Sequence, residues 1–296
     1  MAEEPRKLNP EDLWRWFGEF HWQHWHGIWI NWRVSDSLEI ARTYRSIRSF
    51  QSRAADGSVV FHRNDWYDPA GASERKMTPK SWLINRQEHC GADGIIHPAV
   101  PNSRTLVFPN GDLAWLGLDI DFPQRPVVGE VFFMLPGKNA RVAIIVSYNT
   151  DGSLSASQIL EESRDTDDRP EDSWRGSVWN HDLATVALES EREEPAGEFV
   201  GEETTLYPTG LVLATRKPAI WRGFKPDCDE DREHSTLIHM PYGFTACVPE
   251  KVKLGEEFSC AAHWVVSERE VRKISWKFSA QGKLEHFRTA KFSVLP

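Results

Sequence analysis

The stretch FHWQHWHGIWINWR, Phe20 to Arg33, decides how the rest of the chain is read. It crowds Trp22, Trp25, Trp29 and Trp32 together with His21, His24 and His26 around one glycine, Gly27. Just upstream, Asn9-Pro10-Glu11-Asp12 is a helix start: a capping Asn, Pro at the first helical position and acids in the first turn. Leu13, Trp16, Phe17 and Phe20 then recur at helical spacing, which predicts one short amphipathic helix within residues 10–24, plugging or flanking a barrel.

Downstream the period changes to two. Leu38, Ile40, Arg42, Tyr44, Ser46, Arg48 and Phe50 alternate with Glu39, Ala41, Thr43, Arg45 and Ile47. Ala55-Asp56-Gly57 turns the chain into a second strand, Val59 to Tyr67. Further strands are expected over Lys80–Arg86, Thr105–Phe108, Leu113–Ile120, Glu130–Leu135, Arg141–Tyr148 and Ser153–Glu162, separated by Pro/Asn/Gly turns. The fold class expected is all-β and antiparallel.

A charged, proline-containing stretch from Asp165 to Asp172 has no apolar anchor and reads as a linker. Trp174-Arg175-Gly176-Ser177-Val178-Trp179 then echoes Trp25-His26-Gly27-Ile28-Trp29. Gly129–Phe133 (GEVFF) is matched with Gly255–Ser259 (GEEFS). Ala140–Leu154 is matched with Glu270–Leu284, placing Tyr148 over Phe278, Gly152 over Gly282 and Leu154 over Leu284. An internal duplication explains these echoes. The expected organisation is an N-terminal barrel with its helix over 1–164, a linker over 165–173 and a second barrel over 174–296.

Composition limits the functions open to such a fold. The 296 residues are 40% hydrophobic and 27% charged, ordinary for a globular chain with a proper core, but they include 14 Trp. Net charge is −9, which argues against sequence-independent nucleic-acid binding, although Arg42, Arg45, Arg48 and Arg53 cluster locally. No apolar run approaches the roughly 20 residues of a membrane span, and MAEEPRKLNPEDLW has no apolar signal core, so a cytoplasmic location is expected. The four cysteines, Cys90, Cys228, Cys247 and Cys260, form no C-x-x-C pair and are expected to be reduced.

Taken together, Trp25-His26-Gly27-Ile28-Trp29, the Arg42–Arg48 strand, Gly129–Arg164 with its R-V-x-x-x-x-S-Y core, Met240-Pro241-Tyr242-Gly243 and the closing Gly255–Phe292 block resemble a lipocalin-like family of the calycin superfamily. That family comprises double-barrel proteins carrying domain of unknown function 3598. In such barrels a glycine lets the opening strand bend and a tryptophan closes the floor. The resemblance implies two consecutive antiparallel lipocalin-like β-barrels with a short N-terminal helix. It also implies a distant likeness to the single-barrel lyases that attach linear tetrapyrroles to phycobiliproteins, with no catalytic motif carried over.

The residues narrow the chemistry further. His21, His24 and His26 lack a third ligand at a recognised spacing, Cys228, His234 and Cys247 lack close pairing, and no metal or cofactor is expected. There is no G-x-S-x-G, Cys90 follows His89 without a partner order, and no phosphate-cradling glycine motif occurs. What remains is a barrel lumen. If Tyr44 and Phe50 face inward, Arg42 and Arg48 do too, and buried charge demands an acidic partner or an anionic ligand. Asp119, Asp121 or Glu161 can pair them structurally; alternatively they clamp a ligand's carboxylates against Trp66, Trp115 and Tyr148. His62 is the natural general acid or base, with Tyr44 or Arg42 moving or stabilising a proton or charge. Three functions stay open: a binder of an amphipathic terpenoid, carotenoid or tetrapyrrole, a cofactor-free isomerase or cyclase (or a chromophore lyase), and a docking protein without catalysis.

Overall fold

The computed structural model describes residues 4–34, 38–68, 75–135, 137, 139–164, 193–224 and 235–295. A two-residue strand β1 (Arg6–Lys7) precedes helix α1 (Pro10–His21). The first half continues with β2 (His24–Val34), β3 (Leu38–Ser52), β4 (Val59–Asp68), β5 (Arg75–Lys76), β6 (Lys80–Asn85) and a short helix α2 (Arg86–His89). It then runs through β7 (Cys90–Gly91), β8 (Gly94–His97), β9 (Val100–Val107), β10 (Leu113–Gly117), β11 (Val127–Met134), β12 (Ala140–Tyr148) and β13 (Leu154–Arg164). The second half holds β14 (Phe199–Tyr207), β15 (Val212–Ile220), β16 (Ser235–His239), β17 (Phe244–Pro249), β18 (Phe258–Ser267), β19 (Glu270–Phe278) and β20 (Leu284–Val294).

The fold is all-β, as the alternation requires. Twelve strands form one antiparallel sheet in the order β5-β4-β3-β2-β13-β12-β11-β10-β9-β8-β7, with β6 also on β4. His62 on β4 and His97 on β8, near opposite ends of that order, lie 2.8 Å apart, so the sheet curls into a barrel. Eight strands form the second sheet, β1-β15-β14-β20-β19-β18-β17-β16. Helix α1 starts at an Asn9–Asp12 capping box and buries Leu13, Trp14, Trp16, Phe17, Phe20 and His21. Phe17 packs edge-on against Phe50 of β3, which places the helix across one end of the first barrel.

Some expectations are corrected. The chain's first strand belongs to the second sheet, Arg6 lying opposite Leu213 and Lys7 opposite Val212. Residues 94–97 form a strand that no hydrophobic alternation announced. The β2–β3 register slips at Asn31/Trp32, opposite Arg42 and Ile40, so a period of two cannot be carried from Leu38 through to Phe50. The expected linker, the start of the second barrel at residue 174 and the Trp174–Trp179 echo lie outside the described residues.

The two matched hairpins agree in register. Both carry a register shift at the same step, with Tyr148 opposite Leu154 and Phe278 opposite Leu284. Gly152 and Gly282 take φ +81° and +72°, the left-handed conformation that glycine tolerates, at matching turn positions. The GEVFF/GEEFS match is out of register, however. Val127 pairs with Tyr148 and Phe258 with Phe278, so Gly129 corresponds to Cys260, while Gly255 lies before β18.

The halves clasp each other through these hairpins. Leu154 and Val252 donate backbone N–H groups to Glu250 and Gly152 oxygens (2.9 and 2.8 Å), and Ile120 and Leu284 donate to Gly282 and Leu118 (2.8 Å each). Each hairpin turn thus pairs with the segment after β10 or β17 of the other half, a reciprocal exchange across one boundary. Phe133 and its counterpart Trp264 touch across it at 6.2 Å, and one apolar core runs through both halves. Arg272 reaches across to the fully buried Asp112 (2.6 Å) and to the Met134 carbonyl (2.5 Å).

Candidate functional site

The lumen of the first barrel is built from alternate residues of its strands, beginning with Gly27. A Cβ there would stand 2.8 Å from Leu160 Cδ1 and 2.9 Å from Glu162 Cγ, so glycine lets two β13 side chains lean over β2. Trp25 lines the closed end and Trp29 the middle, its indole N–H donating to Ser46 Oγ (2.7 Å). Tyr44 stacks on Trp29 with centroids 5.2 Å apart and planes at 11°. Burial raises the Tyr44 pKa to about 12, so its phenol stays protonated at neutral pH.

At the centre stand four charges. Arg48 lies 3.2 Å from Glu130 and 3.4 Å from Glu162, while Arg141 Nε donates to the other Glu162 oxygen at 2.5 Å. The Arg48 guanidinium is caged by Trp115, Trp29 and Phe132 with centroids 5.0, 5.4 and 5.5 Å away, and Arg141 lies 4.2 Å from Trp25. Burial opposes the Arg48 charge, but the Glu162 and Glu130 carboxylates outweigh it and raise its pKa. Burial lowers the Arg141 pKa to about 10, against the pull of Glu162. For Glu130, burial wins over Arg48 and raises the pKa. Of the four side chains only Glu130 keeps appreciable exposure, 13% against 3% or less for the rest.

His21, His62 and His97 are neutral and committed. The Ala99 N–H donates to His97 Nδ1 (3.1 Å), which leaves Nε2–H to donate to His62 Nδ1 (2.8 Å) and His62 Nε2–H to donate to Asn64 Oδ1 (2.9 Å). Burial and His97 lower the His62 pKa, and burial and Arg48 bring His97 to about 4. Both His62 nitrogens are therefore engaged in a chain that ends on a backbone amide. His21 accepts from Arg141 at Nδ1 (2.7 Å) and donates to the Gly111 carbonyl (3.0 Å), whereas His24 bonds Ser49 and Gln51. Among the described residues no group of three potential metal ligands gathers. Cys228 and His234 lie outside them.

The sequence-derived candidates separate. Arg48, Tyr44, His62 and Trp115 come together in the lumen. Trp66, half-buried on β4, lies opposite Ser46 with Lys80 5.9 Å from its ring. Arg42 is exposed, its guanidinium 5.4 Å from the Tyr44 ring. Tyr148 points the other way, donating to the Pro249 carbonyl of the second half (3.0 Å). The acids suggested as partners also go elsewhere: Asp119 pairs with Lys283 and Asp121 with Arg125. Glu130, Glu162 and Arg141 escaped the sequence reading, although all three sit within the Gly129–Arg164 block that carries the family likeness.

Two antiparallel sheets, the first rolled into a barrel with aromatic walls and a helix across its end, fit a lipocalin-like description. The family's N-terminal domain of unknown function matches residues 11–167, and the chain belongs to the DUF3598 family. A DUF3598 protein of unknown function from Nostoc punctiforme superposes with a TM-score of 0.65 over 96% of this chain and 99% of its own, at 14% identity, a likeness of fold. An S-type phycobiliprotein lyase from Guillardia theta aligns over 54% of this chain and 95% of its own at 13% identity, with a TM-score of only 0.31. No curated protein matches the chain.

Proposed function

We propose that the first barrel takes up a hydrophobic or amphipathic small molecule, of terpenoid, carotenoid or tetrapyrrole type, in its lumen. One observation carries this reading. By hairpin register Arg141, Glu162 and Glu130 correspond to Val271, Phe292 and Ala261 of the second half. The same sheet positions thus accept apolar side chains, and the fold itself does not require the charges. Buried ion pairs commonly add little or no net stability over apolar replacements, so their retention in one barrel points to use. Half-buried Trp115 and Tyr44, the first against Arg48 and the second stacked on Trp29, supply flat apolar faces beside them.

Saturable quenching of tryptophan fluorescence by retinol, a soluble-carrier-type probe, tests the reading. Tyr44→Ala should weaken binding about five- to tenfold by removing one stacking face. Absence of saturation would refute the proposal.

A second reading, a cofactor-free isomerase or cyclase, is favoured by Glu130, a carboxyl with a raised pKa beside Trp115. In that case Glu130 moves the proton, because both His62 nitrogens are already engaged. Turnover that survives Glu130→Gln would remove this scheme.

A further inference from the structure

We infer that the lumen ligand presents a hydrogen-bond donor, a hydroxyl or an uncharged amine, to Glu130, and that the site selects against carboxylates. This rests on the lumen being the binding site. The two arginines are the obvious hooks for an acid, but their surroundings deny them that role. Arg48 already faces two carboxylates and three aromatic rings, and its remaining Nη1 is sealed from solvent without a hydrogen-bond partner. Arg141 is held between Glu162, His21 and Trp25 and is 2% exposed. An incoming carboxylate could reach neither guanidinium without displacing Glu130 or an aromatic ring.

The charge balance points the same way. Two arginines and two glutamates sum to zero, so a ligand anion would arrive uncompensated in a poorly solvated barrel interior. Glu130 offers the complementary chemistry. A carboxylate accepts about four hydrogen bonds, and among the described residues only the Arg48 contact to Oε1 engages this one. It stands directly opposite Trp115 in the β10–β11 ladder, with the Trp29–Tyr44 stack nearby to receive an apolar body. The equivalent position of the second half, Ala261, lacks this group.

A matched pair tests the inference: retinol and retinoic acid share one skeleton and differ in headgroup. Tryptophan quenching at neutral pH should give retinol about tenfold tighter binding than retinoate, the scale of one hydrogen bond to a charged group. Glu130→Ala, the residue type at the equivalent position, should reduce that preference to about twofold or less while still binding the skeleton. Equal or tighter binding of retinoate to the wild type would overturn the inference and leave the lumen reading intact. An alcohol preference that survives in a folded Glu130→Ala variant would also overturn it. Failure of both probes to bind would end the lumen reading and this inference with it. The wild-type comparison does not depend on how the variant folds.

Discussion

Glu162 joins Arg48 to Arg141, one arginine on each carboxylate oxygen, and is itself fully buried. Glu162→Gln keeps the shape and removes the charge that both guanidinium groups face, leaving Arg141 with no acid in ion-pair range among the described residues. It should destabilise the protein by about 3–5 kcal/mol, read as a lower urea midpoint at unchanged slope. His97 gives a pH signature. Its folded pKa of about 4 lies below the ordinary 6.5, so between those values the unfolded chain binds more protons. Its contribution is fully present above pH 6.5 and is lost as pH falls toward 4. Stability should drop by about 2 kcal/mol from pH 7 to pH 5 on this account, and His97→Gln should flatten that slope. A lumenal Arg48 with an acidic partner was legible in the sequence, but the partner was not. Adjacent Glu161 and Glu162 sit on opposite faces of β13, and only the register, shifted at Ser147/Tyr148, decides which one enters the lumen.

Among the elements, β2 is the hinge of the architecture, as its glycine and tryptophans suggest. Gly27→Ala would bring a Cβ against Leu160 and Glu162, and should cost about 1–3 kcal/mol through overpacking, measurable by thermal or urea unfolding. An unchanged midpoint would mean that β13 can move aside. The helix was readable because Asn9, Pro10 and the first-turn acids coincide with a helical apolar period. Strand β8 was not, because Gly94-Ile95-Ile96-His97 is too short to show alternation. Arg42 illustrates the limit of period-two reasoning: it keeps the parity of Tyr44 yet ends exposed beside the register slip.

The molecule as a whole is two sheets clasped together. Each hairpin turn is held by the other half, and the N-terminal strand sits on the far sheet. Arg272→Met would leave the fully buried Asp112 without its cation and should cost about 3–5 kcal/mol. Unfolding of the wild type should be one transition, coincident by far-UV circular dichroism and tryptophan fluorescence; two separated transitions would deny the clasp. The likeness of the two hairpins was visible in the sequence, while the reciprocal exchange between them depends on spatial pairing that no local pattern encodes. The central claim is that the interior of the first barrel, and not that of the second half, holds the ligand. Hydrogen–deuterium exchange with saturating retinol tests it most directly: protection should concentrate on β3, β4, β10 and β11, and protection confined to β14–β20, or none at all, would contradict it.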